Sequence, residues 1–137
     1  METTMKKSIK LFLILLFITS LESCVEEMLS PERFQKKLTE EKGVLIDVRT
    51  SEEYAEEHID GAINGNVQDV NFKKWIDSLD KSKAYFLYCK SGKRSAQAMD
   101  MMKENGFKKL YMLKGGMIEW RLKEMPVVKK EIIKNSY

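Results

Sequence analysis

The chain has 137 residues, of which 43% are hydrophobic and 33% are charged, and its formal net charge is +3. This length suits one domain with a hydrophobic core and leaves little room for a second. Because 24 basic residues face 21 acidic ones, the charge gives no reason to expect binding to nucleic acid or to an anionic membrane surface. Any functional signal must therefore come from local motifs.

The first 23 residues are typical of an export signal rather than of a folded element. Lysines at positions 6, 7 and 10 precede an apolar run at 11–18. That run is too short for a membrane-spanning helix, which needs about 20 apolar residues. The pattern therefore predicts a secretory signal.

The end of this segment resembles the lipobox of bacterial lipoproteins, with Leu21 and Ser23 placed three and one positions before Cys24. The resemblance implies that residues 1–23 are removed and that Cys24 carries the lipid. It further implies an exported protein anchored to a membrane of the cell envelope, in the periplasm or at the cell surface. The alternative is a noncovalent N-terminal anchor in which Cys24 takes no part. A lipid on Cys24 leaves Cys89 without a disulfide partner, which favours a reactive thiol over a structural cysteine.

Helix and strand signals alternate after an expected solvated tether at 24–29. Ser30 and Pro31 are typical of a helix N-cap and first position, and Gly43 is predicted to end that helix. A buried strand is predicted at 44–48, and a short acidic helix capped by Thr50 or Ser51 follows it.

The second half of the chain continues the alternation. The first three predicted elements are a short strand within 59–65, an amphipathic helix at 71–79 and a strand at 84–88. A helix at 95–105, a strand at 109–113 and a helix at 117–124 follow. Residues 129–137 are predicted to be a basic tail. The alternation predicts an α/β fold, with a mostly parallel central sheet flanked by helices on both faces.

The chemistry is predicted to lie in the cysteine loop, residues 89–95. An apolar strand delivers Cys89 to a short loop that opens a helix, so backbone N–H groups converge near the sulfur. Lys90, Lys93 and Arg94 add positive potential. These features favour a thiolate, so we expect a nucleophilic Cys89 with a pKa below its ordinary value.

Five motifs in order along the chain resemble single-domain rhodaneses. They are residues 45–49, 53–54, 58–59 with 61–63, and 88–95, and the pair Gly115-Gly116 with Trp120. The resemblance implies a rhodanese-like domain over residues 30–128. It also implies a sulfurtransferase in which Cys89 takes a sulfane sulfur from a small anionic donor, thiosulfate or a persulfide. The resulting persulfide passes its sulfur to a thiol or to cyanide, with no cofactor and no metal.

The resemblance also assigns roles to neighbouring residues. The substrate-binding residues would be Lys90, Ser91, Gly92, Lys93, Arg94 and Ser95. Lys93 and Arg94 would orient the donor, and Ser95 would cap the following helix. Asp47 would accept backbone hydrogen bonds and Arg49 would pair with a carboxylate, both as structural support.

Other interpretations remain open. A rhodanese fold can serve as a non-catalytic sulfur carrier or protein-binding module. A cysteine phosphatase or arsenate reductase relative is disfavoured, because phosphatase loops of this type have five residues between cysteine and arginine and this chain has four. His58 is interpreted as a packing residue. Residues 52, 53, 56 and 57 are interpreted as a solvated acidic face, and the methionines at 99, 101, 102, 112 and 117 as core filling rather than Cu(I) ligands. A monomer is expected.

Overall fold

A computed structural model describes residues 23–130 of the chain. The predicted signal segment, apart from Ser23, and residues 131–137 of the predicted tail lie outside this range. Within residues 23–130, no helix is both long enough and apolar enough to cross a membrane.

In chain order, the elements are β1 (Val25–Leu29), α1 (Pro31–Glu40), β2 (Val44–Asp47), α2 (Ser51–Glu56), β3 (Glu57–His58), β4 (Ile63–Asn64), α3 (Phe72–Asp77), β5 (Ala84–Tyr88), α4 (Lys93–Glu104), β6 (Lys109–Leu113), α5 (Gly116–Leu122) and β7 (Val128–Lys129). Five strands form one sheet in the order β1-β6-β5-β2-β4, and all neighbours in it are parallel. Strands β3 and β7 form a separate antiparallel ribbon.

The central strand β5 contributes to two separate cores. Successive side chains of a strand point to opposite faces of the sheet. Tyr85 and Leu87 pack in the core that contains residues of α3 and α4, whereas Phe86 and Tyr88 pack in the core that contains residues of α1 and α5. Every residue of β5 is buried, as expected for the middle of a parallel sheet. The predicted α/β sheet with helices on both faces is confirmed.

The segment predicted as a tether is instead the edge strand β1, which pairs with β6 along its whole length. Its two glutamates are held by ion pairs, Glu26 with Lys103 at 2.6 Å and Glu27 with Arg33 at 2.7 Å. Only Leu29 of this strand is buried. Charged side chains are usual on edge strands. Because β1 carries two of them, it lacks the apolar pattern from which a strand is predicted.

The predicted start of the C-terminal tail is also wrong. Lys129 belongs to β7, where it pairs with Glu57. The backbone N–H of Lys130 donates to the Glu56 carbonyl at 3.0 Å. The chain therefore stays attached to the domain at least to the end of the described range.

Helix α1 begins as predicted but ends for a different reason. The Ser30 side chain accepts a backbone hydrogen bond and Pro31 is the first helical residue. The left-handed residue after the helix is Lys42, with φ of 48°. Gly43 is required for space instead, because a Cβ there would lie 2.3 Å from the Phe86 ring.

Candidate active site

Cys89 lies directly after the central strand β5, at the carboxyl edge of the sheet, where parallel α/β sheets place their sites. It is buried, with 1% of its surface exposed. The Gly92 N–H donates to Cys89 Sγ at 3.1 Å, and Ser95 Oγ lies 3.5 Å from the sulfur. The sulfur therefore has polar groups of the loop and of helix α4 beside it, although Cys89 also borders one of the two hydrophobic cores.

These polar groups favour the ionised form of Cys89. Burial alone would raise the pKa of the thiol. The Ser95 hydroxyl and the backbone N–H groups of Ser95, Gly92 and Ser91 outweigh burial, so the pKa of Cys89 lies below its ordinary value. The arrangement suits a thiolate nucleophile at neutral pH.

The three cations of the loop are placed differently from the sequence-based expectation. Lys90 and Lys93 are exposed. Arg94 is bound to Glu53, with Nη1 to Oε2 at 2.7 Å and Nη2 to Oε1 at 2.9 Å. The Glu53 hydrogen bond is the main reason why the pKa of Arg94 is raised, and the charge of Cys89 is a smaller one. Hydrogen-bond donors, more than cations, therefore stabilise the thiolate.

The resemblance to rhodaneses implies that Ser95 caps the following helix, but in the structure it does not. Helix α4 begins two residues earlier, at Lys93, and its N-cap is Gly92, whose φ of 107° is left-handed. Ser95 is thus the third residue of the helix, with its Oγ 3.0 Å from the Gly92 carbonyl oxygen. While Cys89 is a thiol, the Ser95 hydroxyl can donate to the Gly92 carbonyl. Once Cys89 is ionised, the same hydroxyl can donate to the sulfur.

Replacing Ser95 with alanine should raise the pKa of Cys89 and slow its alkylation at neutral pH several-fold. The change removes a donor that favours the thiolate, which is the reactive form. The measurement is the pH profile of iodoacetamide alkylation in a Cys24→Ser background, where Cys89 is the sole thiol. The matched control is Ser91→Ala, which keeps the backbone N–H that Ser91 contributes. A profile of Ser95→Ala that superimposes on that of the control would contradict this account of the thiolate.

Helix α5 holds the cysteine loop from the other side. The N–H of Met117 donates to the Cys89 carbonyl at 2.9 Å, and the N–H of Ile118 donates to the Lys90 carbonyl at 3.1 Å. These are N–H groups of the first helical turn, which lack partners within the helix. The carbonyls of Cys89 and Lys90 are therefore fixed toward α5.

This fixation also orients one of the N–H groups that lower the pKa of Cys89, that of Ser91. In a trans peptide the C=O and the N–H point in opposite directions, so a Lys90 carbonyl turned toward α5 leaves the Ser91 N–H turned away from it. The close approach of α5 to the cysteine loop requires a glycine at position 116, where φ is 58°. A Cβ there would lie 2.4 Å from the Cys89 carbonyl oxygen. The sequence predicts that this glycine lies in a turn. Its contact with the cysteine loop follows only from the three-dimensional structure.

The Asp47–Arg49 pair supports the sheet edge beside Cys89. Both residues are buried, with 0% and 3% of their surfaces exposed. Arg49 donates to both carboxylate oxygens of Asp47, through Nε to Oδ1 at 2.9 Å and through Nη2 to Oδ2 at 2.6 Å. Nη2 also donates to the Glu57 carbonyl at 2.7 Å. The carboxylate that pairs with Arg49 is thus that of Asp47. Arg49, through its second bond to the Glu57 carbonyl, ties the end of β2 to the start of β3.

Glu53 is not part of a solvated face, so that interpretation is wrong for this residue. It completes a capping box, in which Thr50 Oγ1 accepts from the Glu53 N–H at 3.3 Å and Glu53 Oε2 accepts from the Thr50 N–H at 3.1 Å. The hydrogen bond from Arg94, with the Thr50 bond adding to it, lowers the pKa of Glu53 to about 2. The spacing of Thr50 and Glu53 is a signal that the sequence contained. Glu57 also departs from the solvated face, since it pairs with Arg121.

His58 and the methionines have packing roles. The His58 ring stacks on Tyr54 with centroids 4.0 Å apart, and its Nδ1 lies 2.8 Å from the Tyr54 carbonyl. Four methionines are buried in the two cores, at positions 99, 102, 112 and 117. Between residues 23 and 130, no group of three or more histidine, cysteine, aspartate or glutamate side chains is placed to hold a metal ion.

A cavity of about 420 Å³ opens beside the cysteine loop. Basic and acidic side chains line it together: Arg49, Lys90, Arg121 and Lys129 with Glu53, Glu56 and Glu57. Through Lys90 it adjoins the loop that holds Cys89. Cys89 itself is not among its lining residues, so the cavity is a candidate approach to the loop rather than the pocket that holds the sulfur.

The matches to known proteins agree with this fold. Residues 30–123 match the family model described as "Rhodanese-like domain". "Putative sulfurtransferase YtwF" of Bacillus subtilis is 34% identical over 102 residues, which cover 74% of this chain and 96% of YtwF. "Putative sulfur carrier protein YrkF" of the same organism is 33% identical over 93 residues, which cover 67% of this chain and 49% of YrkF. The chain belongs to the rhodanese-like family.

Solved structures show the same fold. A rhodanese-like domain of the Anabaena Alr3790 protein has a TM-score of 0.66 at 25% identity, covering 80% of this chain and 83% of that one. A rhodanese-related protein of Thermoplasma volcanium has a TM-score of 0.65 at 25% identity, covering 77% and 99%. The chain spans about half the length of YrkF and a smaller share of some other curated relatives.

Proposed function

We propose that this chain is a sulfurtransferase that works through a persulfide on Cys89. The ionised Sγ attacks the outer sulfur of a donor such as thiosulfate. The donor S–S bond breaks, and sulfite leaves with the electron pair. An acceptor thiol then attacks the terminal sulfur of the persulfide. Cys89 leaves as a thiolate, and the proton of the thiol ends on the transferred sulfur.

The observation that carries the proposal is the set of donors around Cys89 Sγ, with the Gly92 N–H at 3.1 Å and the Ser95 hydroxyl at 3.5 Å. Donors in this position stabilise negative charge on sulfur before the attack and on the persulfide after it. No general base is required, because the environment itself lowers the pKa of Cys89. The names of YtwF and YrkF point to the same chemistry.

A phosphatase function has less support. A phosphatase needs the free donors of its loop arginine to hold phosphoryl oxygens. Two of the five N–H donors of Arg94 are already used by Glu53, which also compensates the charge of Arg94. The loop is also one residue shorter than in phosphatases of the tyrosine-phosphatase type.

Mass spectrometry of the intact protein tests the proposal directly. The full chain is incubated with thiosulfate, with a thiol persulfide or with an aryl phosphate. We expect the sulfur donors to add the mass of one sulfur atom to Cys89, and cyanide or a thiol to remove it. Release of phosphate without any sulfur on Cys89 would support the phosphatase function instead. A persulfide that small acceptors do not discharge would point to a carrier.

We also propose that Cys24 carries a lipid that anchors the domain to a membrane of the cell envelope. The support is the lipobox-like pattern of residues 21–24 and the exposure of Cys24. A Cys24→Ser variant should appear in the soluble fraction after export. If the variant stays in the membrane fraction, a noncovalent anchor is the better explanation.

A further inference from the structure

We propose that Glu53 makes the site selective for singly charged sulfur donors, such as persulfides and thiosulfonates, over the doubly charged thiosulfate ion. Glu53 does so by neutralising Arg94, the arginine of the cysteine loop. The inference rests on the proposed sulfur transfer at Cys89 and names the class of donor that this transfer uses.

The first argument is the geometry of the Glu53–Arg94 pair. The two contacts, at 2.7 and 2.9 Å, use both terminal nitrogens of Arg94 and both carboxylate oxygens of Glu53. Such two-point pairs are among the strongest that side chains form. Together the two residues carry no net charge, so an incoming anion is not attracted by a free guanidinium.

The second argument is that Glu53 is fixed from another direction. Its carboxylate also accepts the Thr50 N–H at 3.1 Å, in the first turn of α2, where the helix dipole favours negative charge. The side chains of Arg94 and Glu53 are only 22% and 31% exposed, unlike those of an open surface pair. A donor cannot displace Glu53 from Arg94 without also opposing this cap.

The third argument is that Glu53 compensates the charge of Arg94 over the whole neutral pH range. The hydrogen bond from Arg94 lowers the pKa of Glu53 to about 2. The carboxylate therefore stays ionised at every pH at which the enzyme would work. Proton uptake by Glu53 does not release the arginine.

The fourth argument is the charge of the cavity beside the loop. Four basic and three acidic side chains line it, a formal excess of one positive charge. Both arginines are already engaged, Arg49 with Asp47 and Arg121 with Glu57, and Glu53 is engaged with Arg94. Lys90, Lys129 and Glu56 are left, which again amounts to one excess positive charge. A nearly neutral approach to the loop, with one excess cation, complements one negative charge better than two.

The test compares two donors in the Glu53→Gln variant. Glutamine has nearly the same size and can still complete the capping box, but it leaves the charge of Arg94 uncompensated. The donors are thiosulfate, with two negative charges, and methanethiosulfonate, with one; both deliver an outer sulfur. The quantity measured is the ratio of their kcat/KM values at low ionic strength, with cyanide as acceptor. Since both values come from one sample, any loss of folded protein cancels in the ratio.

We expect the ratio of thiosulfate to methanethiosulfonate to rise roughly tenfold in Glu53→Gln, the effect of one additional unit charge acting at short range. Added salt should reduce the difference. The matched control is Glu52→Gln, which removes the same charge from an exposed position on α2 and should leave the ratio unchanged. A second change, Arg94→Gln in the Glu53→Gln background, should return the ratio toward that of the unmodified protein.

Two failures are distinguishable. If Glu53→Gln transfers sulfur from both donors at the unmodified ratio, the assignment of Glu53 as the determinant of donor charge is overturned, and sulfur transfer itself stands. If neither donor loads Cys89 in the unmodified protein or the variant, the proposed function fails, and the inference fails with it.

Discussion

Replacing Cys89 with serine should reduce sulfur transfer by at least about a thousandfold, the scale of loss seen when a covalent nucleophile is removed. A serine hydroxyl stays protonated in this site and cannot hold the transferred sulfur. The assay is thiocyanate formation from thiosulfate and cyanide, followed together with the intact mass of the protein. The variant should gain no sulfur.

The chain offers a matched control for this change. Cys24→Ser removes the other cysteine, which is exposed and precedes β1, and it should retain full sulfur transfer. Thermal unfolding of Cys89→Ser shows whether the fold is kept, since the replacement is close in size. Sulfur transfer that persists in folded Cys89→Ser would contradict the persulfide mechanism.

Replacing Asp47 with alanine should lower the free energy of unfolding by about 3–5 kcal/mol, the usual cost of removing one partner of a buried ion pair. Arg49 would keep its bond to the Glu57 carbonyl but would lose its hydrogen bonds to the Asp47 carboxylate. Its guanidinium would stay buried with an uncompensated charge. Urea unfolding of the full chain measures the change, with an unaltered denaturant slope as the check on two-state behaviour.

Two further variants separate charge burial from other causes of instability. Glu27→Ala breaks two surface pairs, with Arg33 and with Lys37, and it should cost less than about 1 kcal/mol. The double change Asp47→Ala with Arg49→Met removes both charges and should recover much of the loss. A single Asp47→Ala variant no less stable than Glu27→Ala would show that the buried pair contributes little.

The parts of the fold that the sequence predicts are those set by local patterns. The apolar runs of β2 and β5 and the caps at Ser30 and Thr50 depend on residues close together in the chain. The position of Cys89 follows from them, because a residue after a buried parallel strand must lie at the carboxyl edge of the sheet. The thiolate expectation also needed only the loop and the helix after it.

The parts that the sequence misses depend on distant residues. Glu53 and Arg94 are 41 positions apart, and no local pattern pairs them. Gly116 looks like an ordinary turn glycine until α5 is seen against the cysteine loop. Strand β1 is stabilised by β6 and by ion pairs rather than by its own apolar residues, so its two glutamates resemble a solvated linker.

The parallel sheet has a consequence for how the molecule would be oriented. Cys24 precedes β1 and so lies at the amino edge of the sheet, whereas Cys89 follows β5 and lies at the carboxyl edge. The five residues of β1 separate these edges by roughly 16 Å at about 3.3 Å per residue. A lipid on Cys24 would therefore hold the domain close to the bilayer, with the sulfur-bearing end directed away from it. In that orientation, donors and acceptors would reach Cys89 from the aqueous side.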